Sequence, residues 1–343
     1  MANPADNRDP ADRNNSTGVR PSFAAQNSTV RTRAKKQTMQ KFTLAAILLC
    51  FCLALAMLAI MLIGGIIAKS SDTDKGQDQH NMEWGEKSVA MSDTLQGPLV
   101  LVNNEHAYTF PSTEAHLAEI YSVYNRHKPH LYQQSGISAY MEKTALDALD
   151  IMLTDFATQS GNKQVQIRDA YRDLKTQENY GVDPGHSDHH TGYGCVLRYV
   201  KDGGSGETHE LAGDLSTYGW ILEHCHEYGF ITRYPTDKAD KTGVEDYESY
   251  FRYVGVAHAT YMKEADLCME EYVEFLKTKT YKKPLNIKGA DGKDYCVYYA
   301  EVSSGGSSIH YPTNYAYTMS GTNEGGVVIT VNLSEPVTAS TAD

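Results

Sequence analysis

The 343-residue chain is 41% apolar, enough for a sizeable core plus appendages, and its length suggests one to three domains. A formal charge of −12 argues against nucleic acid as a partner, because a duplex binder needs a basic face to neutralise phosphates. The six cysteines form no CxxC pair and no regular spacing, which disfavours zinc ribbons and small disulfide scaffolds.

Residues 1–41 carry Arg8, Arg13, Arg20, Arg31, Arg33, Lys35, Lys36 and Lys41 against Asp6, Asp9 and Asp12, with few large apolar groups. Such a segment cannot bury enough surface to offset ordering entropy and is expected to be a disordered cytoplasmic tail. The uncharged run "FTLAAILLCFCLALAMLAIMLIGGIIA" from Phe42 to Ala68 exceeds the roughly 20 residues that cross a bilayer as a helix. It is also longer than the apolar region of a cleaved signal peptide, about 7–15 residues. A single transmembrane helix at 42–68 is therefore expected. Basic residues precede it and Asp72, Asp74 and Asp78 follow, so the N-terminus should be cytoplasmic and the C-terminal domain extracellular, held at the cell membrane in a single pass. Residues 69–95 read as a polar extracellular stalk. Cys50 and Cys52 lie in the span, leaving Cys195, Cys225, Cys268 and Cys296 outside, where disulfides are permitted but none is implied.

Ordered sequence begins at "PLVLVNNEHAY", a short strand-like run. A helix is predicted from about Thr113, with Leu117, Ile120, Tyr121 and Tyr124 at helical spacing. From Ala139 to Thr158 the apolar positions Met141, Ala145, Ala148, Leu149, Met152, Leu153 and Phe156 define an amphipathic helix that stops before Gly161. "VQIRDAY" alternates like a half-buried strand, and "LSTYGWILEHCHEYGF" reads as a helix closed by Gly229. A further helix is expected over about Ala259 to Lys277. After "KKPLN", the runs "DYCVYYAEV" and "GGVVITVNL" are separated by Gly- and Ser-rich turns and predict a β-rich appendage at 283–335. Residues 336–343 should be a disordered tail.

The segment "GVDPGHSDHHTGYGCVL" places three histidines and an aspartate between His186 and His190. Alone this is a weak metal signal, because ligands must converge from several elements and consecutive side chains rarely point at one ion. Its neighbours add more. "AYRDLKTQ", "PGHSDHHTGYG", "WILEHCHEYGFITRYP", "DKADKTG" and "FRYVG", in this order, resemble the VanY-like D-alanyl-D-alanine carboxypeptidases, the M15 zinc peptidases. The resemblance covers about 98–275, and the tail strands resemble an extension of some members. It implies an α+β fold, a D,D-peptidase domain of the hedgehog/M15-like kind over 96–282, with the C-terminal β appendage behind it and the single transmembrane helix before it.

In that family two His and one Asp hold zinc, and a Glu acts as general base on the zinc-bound water. These residues occupy S-x-H-x-x-G-x-A-x-D and E-x-x-H-x-R-Y-V-G. Carried onto this chain, Ser187 and Gly192 match and His189 takes the first ligand position, but the Asp position is Val196. In the second motif, anchored on Arg252, Tyr253, Val254 and Gly255, the His position is Tyr250 and the base position is Tyr247. Valine cannot ligate zinc, and neutral tyrosine does so poorly. No catalytic residue is expected, and of the metal ligands only His189 remains. Arg172 and Gln177 match substrate-contacting positions of the family and, with Ser187, form the expected substrate-binding set. Tyr171, Trp220, Arg233 and Tyr234 also hold family positions.

Three readings follow. The first is a catalytically inactive homologue that binds a peptidoglycan stem peptide or a cell-wall protein and needs no cofactor. The second is an active carboxypeptidase that trims terminal D-Ala, holding zinc through atypical ligands drawn from His186, Asp188, His189 and His190; a different metal site, of His186, Asp188 and His190 with His209, Glu210 or His224, is a further candidate. The third is a membrane protein relaying a signal to the cytoplasmic tail. The resemblance favours the first.

Overall fold

The computed structural model describes residues 81–113, 116–135, 139–201, 206–245, 247 and 249–337. The expected cytoplasmic tail, the run at 42–68 and residues 69–80 lie outside the described residues, as do 338–343. Among the described residues no helix is long and apolar enough to cross a membrane.

The described chain opens with a strand, β1 (Trp84–Val89), and a 3-10 turn (Met91–Leu95), within the segment read as a stalk. The strand-like run at 98–108 is not a strand. Leu99 to Val102 are buried in irregular backbone, tied down by the Leu101 N–H donating to the Thr322 carbonyl (3.0 Å). The helix expected from Thr113 shrinks to α1 (Ile120–Tyr124), because β2 (Leu117–Glu119) takes the preceding residues. After β3 (Gln133–Gln134), β4 (Tyr140–Glu142) pairs with β2.

The long amphipathic helix is α2 (Lys143–Ser160). The Glu142 carboxylate caps it by accepting from the N–H groups of Thr144 and Ala145, and Gly161 at φ 71° ends it, the left-handed conformation in which glycine meets no Cβ penalty. Its buried stripe Leu146, Leu149, Leu153 and Phe156 packs on Val165, Ile167, Leu197 and Tyr199 of the main sheet. That sheet follows the order β3, β5 (Val165–Asp169), β6 (Gly194–Val200), β9 (Tyr250–Tyr253), β8 (Phe230–Thr232), with β7 (Thr208–Glu210) also on β6. The short α3 (Leu174–Gln177), α4 (Leu215–His224) and α5 (Ala239–Thr242) lie between its strands in sequence. Gly229 closes the turn after α4 at φ 84°.

The single helix expected over 259–277 is two, α6 (Val256–Ala265) and α7 (Met269–Leu276). Asp266 at φ 52° breaks the first, and Glu271 reaches back to the Cys268 N–H (3.1 Å) to open the second, a reciprocal cap of the helix N-terminus. The appendage is the four-stranded sheet β10 (Leu285–Lys288), β11 (Asp294–Glu301), β14 (Gly326–Pro336), β13 (Tyr315–Gly321), and β12 (Ser307–Pro312) leaves it to pair with β1. Side-chain alternation serves two cores. Val297 and Val328 pack with Met262, Tyr272 and Leu276 of the helices. Cys296, Tyr298, Ile329 and Val331 pack with Val89 and Ile309 of the β1–β12 ribbon.

Candidate functional site

The histidine-rich segment forms a 3-10 turn (Asp188–Thr191) leading into β6. Gly192 makes the exit at φ 74°, where a Cβ would meet the Leu117 side chain at 2.7 Å. Side by side in the sheet, β6 and β9 set Val196 opposite Tyr250 and Gly194 opposite Arg252. The residues at all the family ligand and base positions therefore come together. His189 stands edge-on to Tyr250, with ring centroids 4.6 Å apart, and Val196, Tyr234 and Tyr250 form a small buried cluster against Val244 and Tyr247. The three tyrosine rings lie 5.6–6.1 Å apart, centroid to centroid.

Nδ1 of His189 donates to the Ala170 carbonyl (2.5 Å), which leaves Nε2 as the bare lone pair, buried and without a hydrogen-bond partner. Burial, aided by the nearby Arg172 charge, pushes this imidazole down to about 4, so it is neutral at physiological pH. Tyr250 is neutral too, because burial and the adjacent Asp188 carboxylate raise its phenol well above the usual range. Its hydroxyl donates to Asp188 Oδ2 (3.1 Å). Asp188 is a buried anion held by Arg252, which donates from Nη1 to Oδ1, with Arg233 Nε 3.6 Å away. Burial alone would raise its carboxyl. The Arg252 and Arg233 charges, with hydrogen bonds from Arg252 and Tyr250, outweigh that and hold it below the ordinary value. Arg233 continues the network with a two-pronged contact to Glu270, at 2.9 and 2.7 Å.

Gly194 occupies the Ala position of the first motif. A methyl group there would overlap the Tyr250 hydroxyl and ring. The substituted tyrosine thus fits because the facing residue has no side chain.

Of the expected substrate-binding residues, Arg172 and Gln177 come together. Arg172 is 7% exposed and donates from Nε and Nη2 to Asp169 (3.0 and 2.5 Å) and from Nη1 to Gln177 Oε1 (3.2 Å). Three of its five N–H groups are thereby committed. The Tyr180 ring covers the guanidinium at 3.4 Å, and Gln177 is anchored by donating to the Val182 carbonyl (3.0 Å). Ser187 is buried at the start of the 3-10 turn. Sequence reasoning missed Asp169, Tyr180 and Gly194. The first two lie within eight residues of Arg172 but carry no motif of their own, and Gly194 is visible only as a departure from the family pattern.

The atypical ligand set does not assemble. His186 Nδ1 donates to the Asn103 carbonyl (2.8 Å). His190 donates from Nδ1 to the Arg172 carbonyl (2.6 Å) and accepts at Nε2 from the Gly185 N–H (3.0 Å). Asp188 faces its arginines, Glu210 pairs with Arg198 (2.9 Å), His224 pairs with Glu227 (2.7 Å), and His209 packs on the Tyr199 ring at 5.2 Å. Among the described residues no three His, Cys, Asp or Glu side chains gather as a metal site. Cys195, Cys225, Cys268 and Cys296 are buried free thiols.

Comparison with known proteins fits this layout. The VanY family model, described as D-alanyl-D-alanine carboxypeptidase, matches residues 178–256. A D-alanyl-D-alanine carboxypeptidase of Enterococcus faecium is 30% identical over 256 residues, which span 72% of this chain and 78% of the relative. The chain belongs to the VanY-like D-alanyl-D-alanine carboxypeptidase family. A second D-alanyl-D-alanine carboxypeptidase, of Enterococcus faecalis, is 35% identical over 96 residues, 28% of this chain and 33% of the relative. Among solved structures, the vancomycin-resistance D,D-dipeptidase VanXYg, in complex with a D-Ala-D-Ala phosphinate analog, matches with a TM-score of 0.61 at 21% identity, covering 73% of this chain and 99% of that one. The shared fold is the α+β architecture described above.

VanY-like proteins work with zinc, and the donor set here does not fit it. His189 keeps a ligand's posture, with Nδ1–H fixed on a carbonyl and Nε2 turned inward, the usual outer-shell arrangement of a metal-binding histidine. Edge-on to it is a neutral phenol whose proton goes to Asp188, and the Asp position of the family is a valine packed on that same phenol. One neutral nitrogen is too few donors for zinc, which takes three or four protein ligands.

Proposed function

We propose that this chain is a catalytically silent VanY-like protein that binds the carboxylate end of peptidoglycan stem peptides outside the cell, tethered to the membrane through the run at 42–68. The carrying observation is the aromatic and aliphatic filling of the zinc locus, in which Val196, Tyr247 and Tyr250 replace two ligands and the base and Gly194 accommodates the Tyr250 hydroxyl. Zinc-activated water is the source of the family's hydrolysis. Binding needs less. The two uncommitted N–H groups of Arg172 can donate to a carboxylate, and the relative named above supports a D-Ala-terminated peptide as the ligand.

The test combines two measurements on the purified chain. Elemental analysis after dialysis against trace zinc should find no stoichiometric metal, and incubation with a D-Ala-D-Ala-terminated pentapeptide should release no D-alanine. About one tightly held zinc per chain, or turnover, would overturn the silent reading. The same pentapeptide should bind saturably and lose at least about tenfold in affinity, ~1.4 kcal/mol, in Arg172→Ala. An unchanged affinity would sink the peptide receptor.

A further inference from the structure

A cleft whose lining does not include Arg172 lies on the seam between the peptidase domain and the appendage, with Thr191 of the 3-10 turn at its edge. It is an open cleft of about 510 Å³, within the size range of small-molecule sites, which favour such seams. Asp93 and Gln96 come from the 3-10 turn after β1 and its exit, Met319 from β13, Tyr108 and His116 from the segments before β2, and Tyr193 from the start of β6.

Its chemistry is specific. Among the described residues no lysine or arginine lines it, which disfavours an anion. Asp93 uses Oδ2 to accept from the Ala90 N–H (2.8 Å), while its Oδ1, the exposed Gln96 amide and the His116 ring take no hydrogen bond from any described side chain or backbone. Two aromatic rings are fixed beside these groups. Tyr193 stacks on Tyr253, with centroids 6.4 Å apart and 14° between planes, and Tyr108 stands edge-on to Phe110 at 5.0 Å. One carboxylate oxygen, one amide and one imidazole can pair with several hydroxyls, and the Tyr108 ring and the Met319 thioether offer apolar surface to the C–H face of a ring, with Tyr193, held between Tyr253 and Arg252, as a fixed wall. We infer that this cleft is a saccharide-binding site, for a neutral polyhydroxylated ring, separate from the peptide site.

The test is calorimetric titration of the purified full-length chain with chitotriose and with maltotriose, with choline as a cationic control. Saturable binding of either sugar is expected, weakened by at least about tenfold in both Gln96→Ala and Asp93→Asn, with thermal midpoints unchanged. Arg172→Ala should leave the sugar affinity as it is, and the pentapeptide should not displace the sugar, so failure here and failure of the peptide reading are distinguishable. Absence of sugar binding up to about 10 mM would overturn the inference. So would sugar binding that both variants leave intact, or choline binding in place of sugar.

Discussion

Gly194 and Tyr250 share one volume, and that makes the altered zinc locus resistant to piecemeal reversal. Gly194→Ala should cost about 1–3 kcal/mol, the range for overpacking a tight core, because the new methyl overlaps the Tyr250 hydroxyl. In a Tyr250→His background the same change should cost far less, giving a coupling of at least about 1 kcal/mol in a double-mutant cycle read by urea unfolding. Additive effects would show that the backbone relaxes around either residue. Asp188 is the more severe position. Asp188→Ala leaves Arg252 and part of Arg233 buried without their anion, and a loss of about 3–5 kcal/mol is expected in the same assay. The Val196, Tyr247 and Tyr250 replacements were legible from motif spacing alone, because a family pattern says which side chains are missing. It does not say what fills the space, so the pairing of Asp188 with Tyr250 and Arg252, and the dependence on Gly194, needed the folded contacts between β6 and β9.

At the scale of elements, legibility followed periodicity. The helix α2 came within a few residues of expectation because its stripe is long and its stop is a glycine. The run at 98–108 misled because residues 99–102 are apolar for a different reason. Leu99 and Leu101 pack in one core with helices α6 and α7, and the carbonyls of Pro98 and Val100 accept from Arg252 (2.9 and 3.0 Å) instead of from a strand. The break at Asp266 was invisible for lack of Gly or Pro. Helix α6 also carries His258, whose Nδ1 and Nε2 contact Tyr272 Oη (2.7 Å) and Thr330 Oγ1 (2.8 Å), joining α6, α7 and β14. Burial pushes His258 down to about 4. Its folded value lies below the unfolded one near 6.5, so the unfolded chain binds the extra proton and stability falls as pH drops from about 6.5 toward 4. His258→Gln should remove up to one proton's share of that slope, about 1.4 kcal/mol per pH unit, in denaturant melts between pH 4 and 7. An unaltered slope would assign the acid sensitivity elsewhere.

For the whole molecule, the change of character after "KKPLN" was legible as a run of strands, but the core those strands share with α6 and α7 and the part played by the residues ahead of them were not. The polar residues of 81–95 gave no sign that a strand would form, since β1 alternates weakly and finds its partner only at the far end of the chain. Trp84 packs against Tyr281 and Tyr298 at 5.5 and 5.8 Å, and Val89 enters the outer appendage core. Trp84→Ala should therefore lower stability by about 2–3 kcal/mol, below the full range for a buried tryptophan because the residue is only partly buried, and thermal melts would register it. A change within experimental error would mean that β1 is dispensable.

The β1–β12 ribbon also sets an order of events during synthesis. Glu86 and Ser308, hydrogen-bonded at 3.1 Å, lie 222 residues apart in the chain. At about 5–20 residues per second, translation takes roughly 10–45 s to supply the partner strand after β1 emerges. Until then the hydrogen-bonding edge of β1 has no partner strand, although Tyr281 and Tyr298, which pack on Trp84, are made before it.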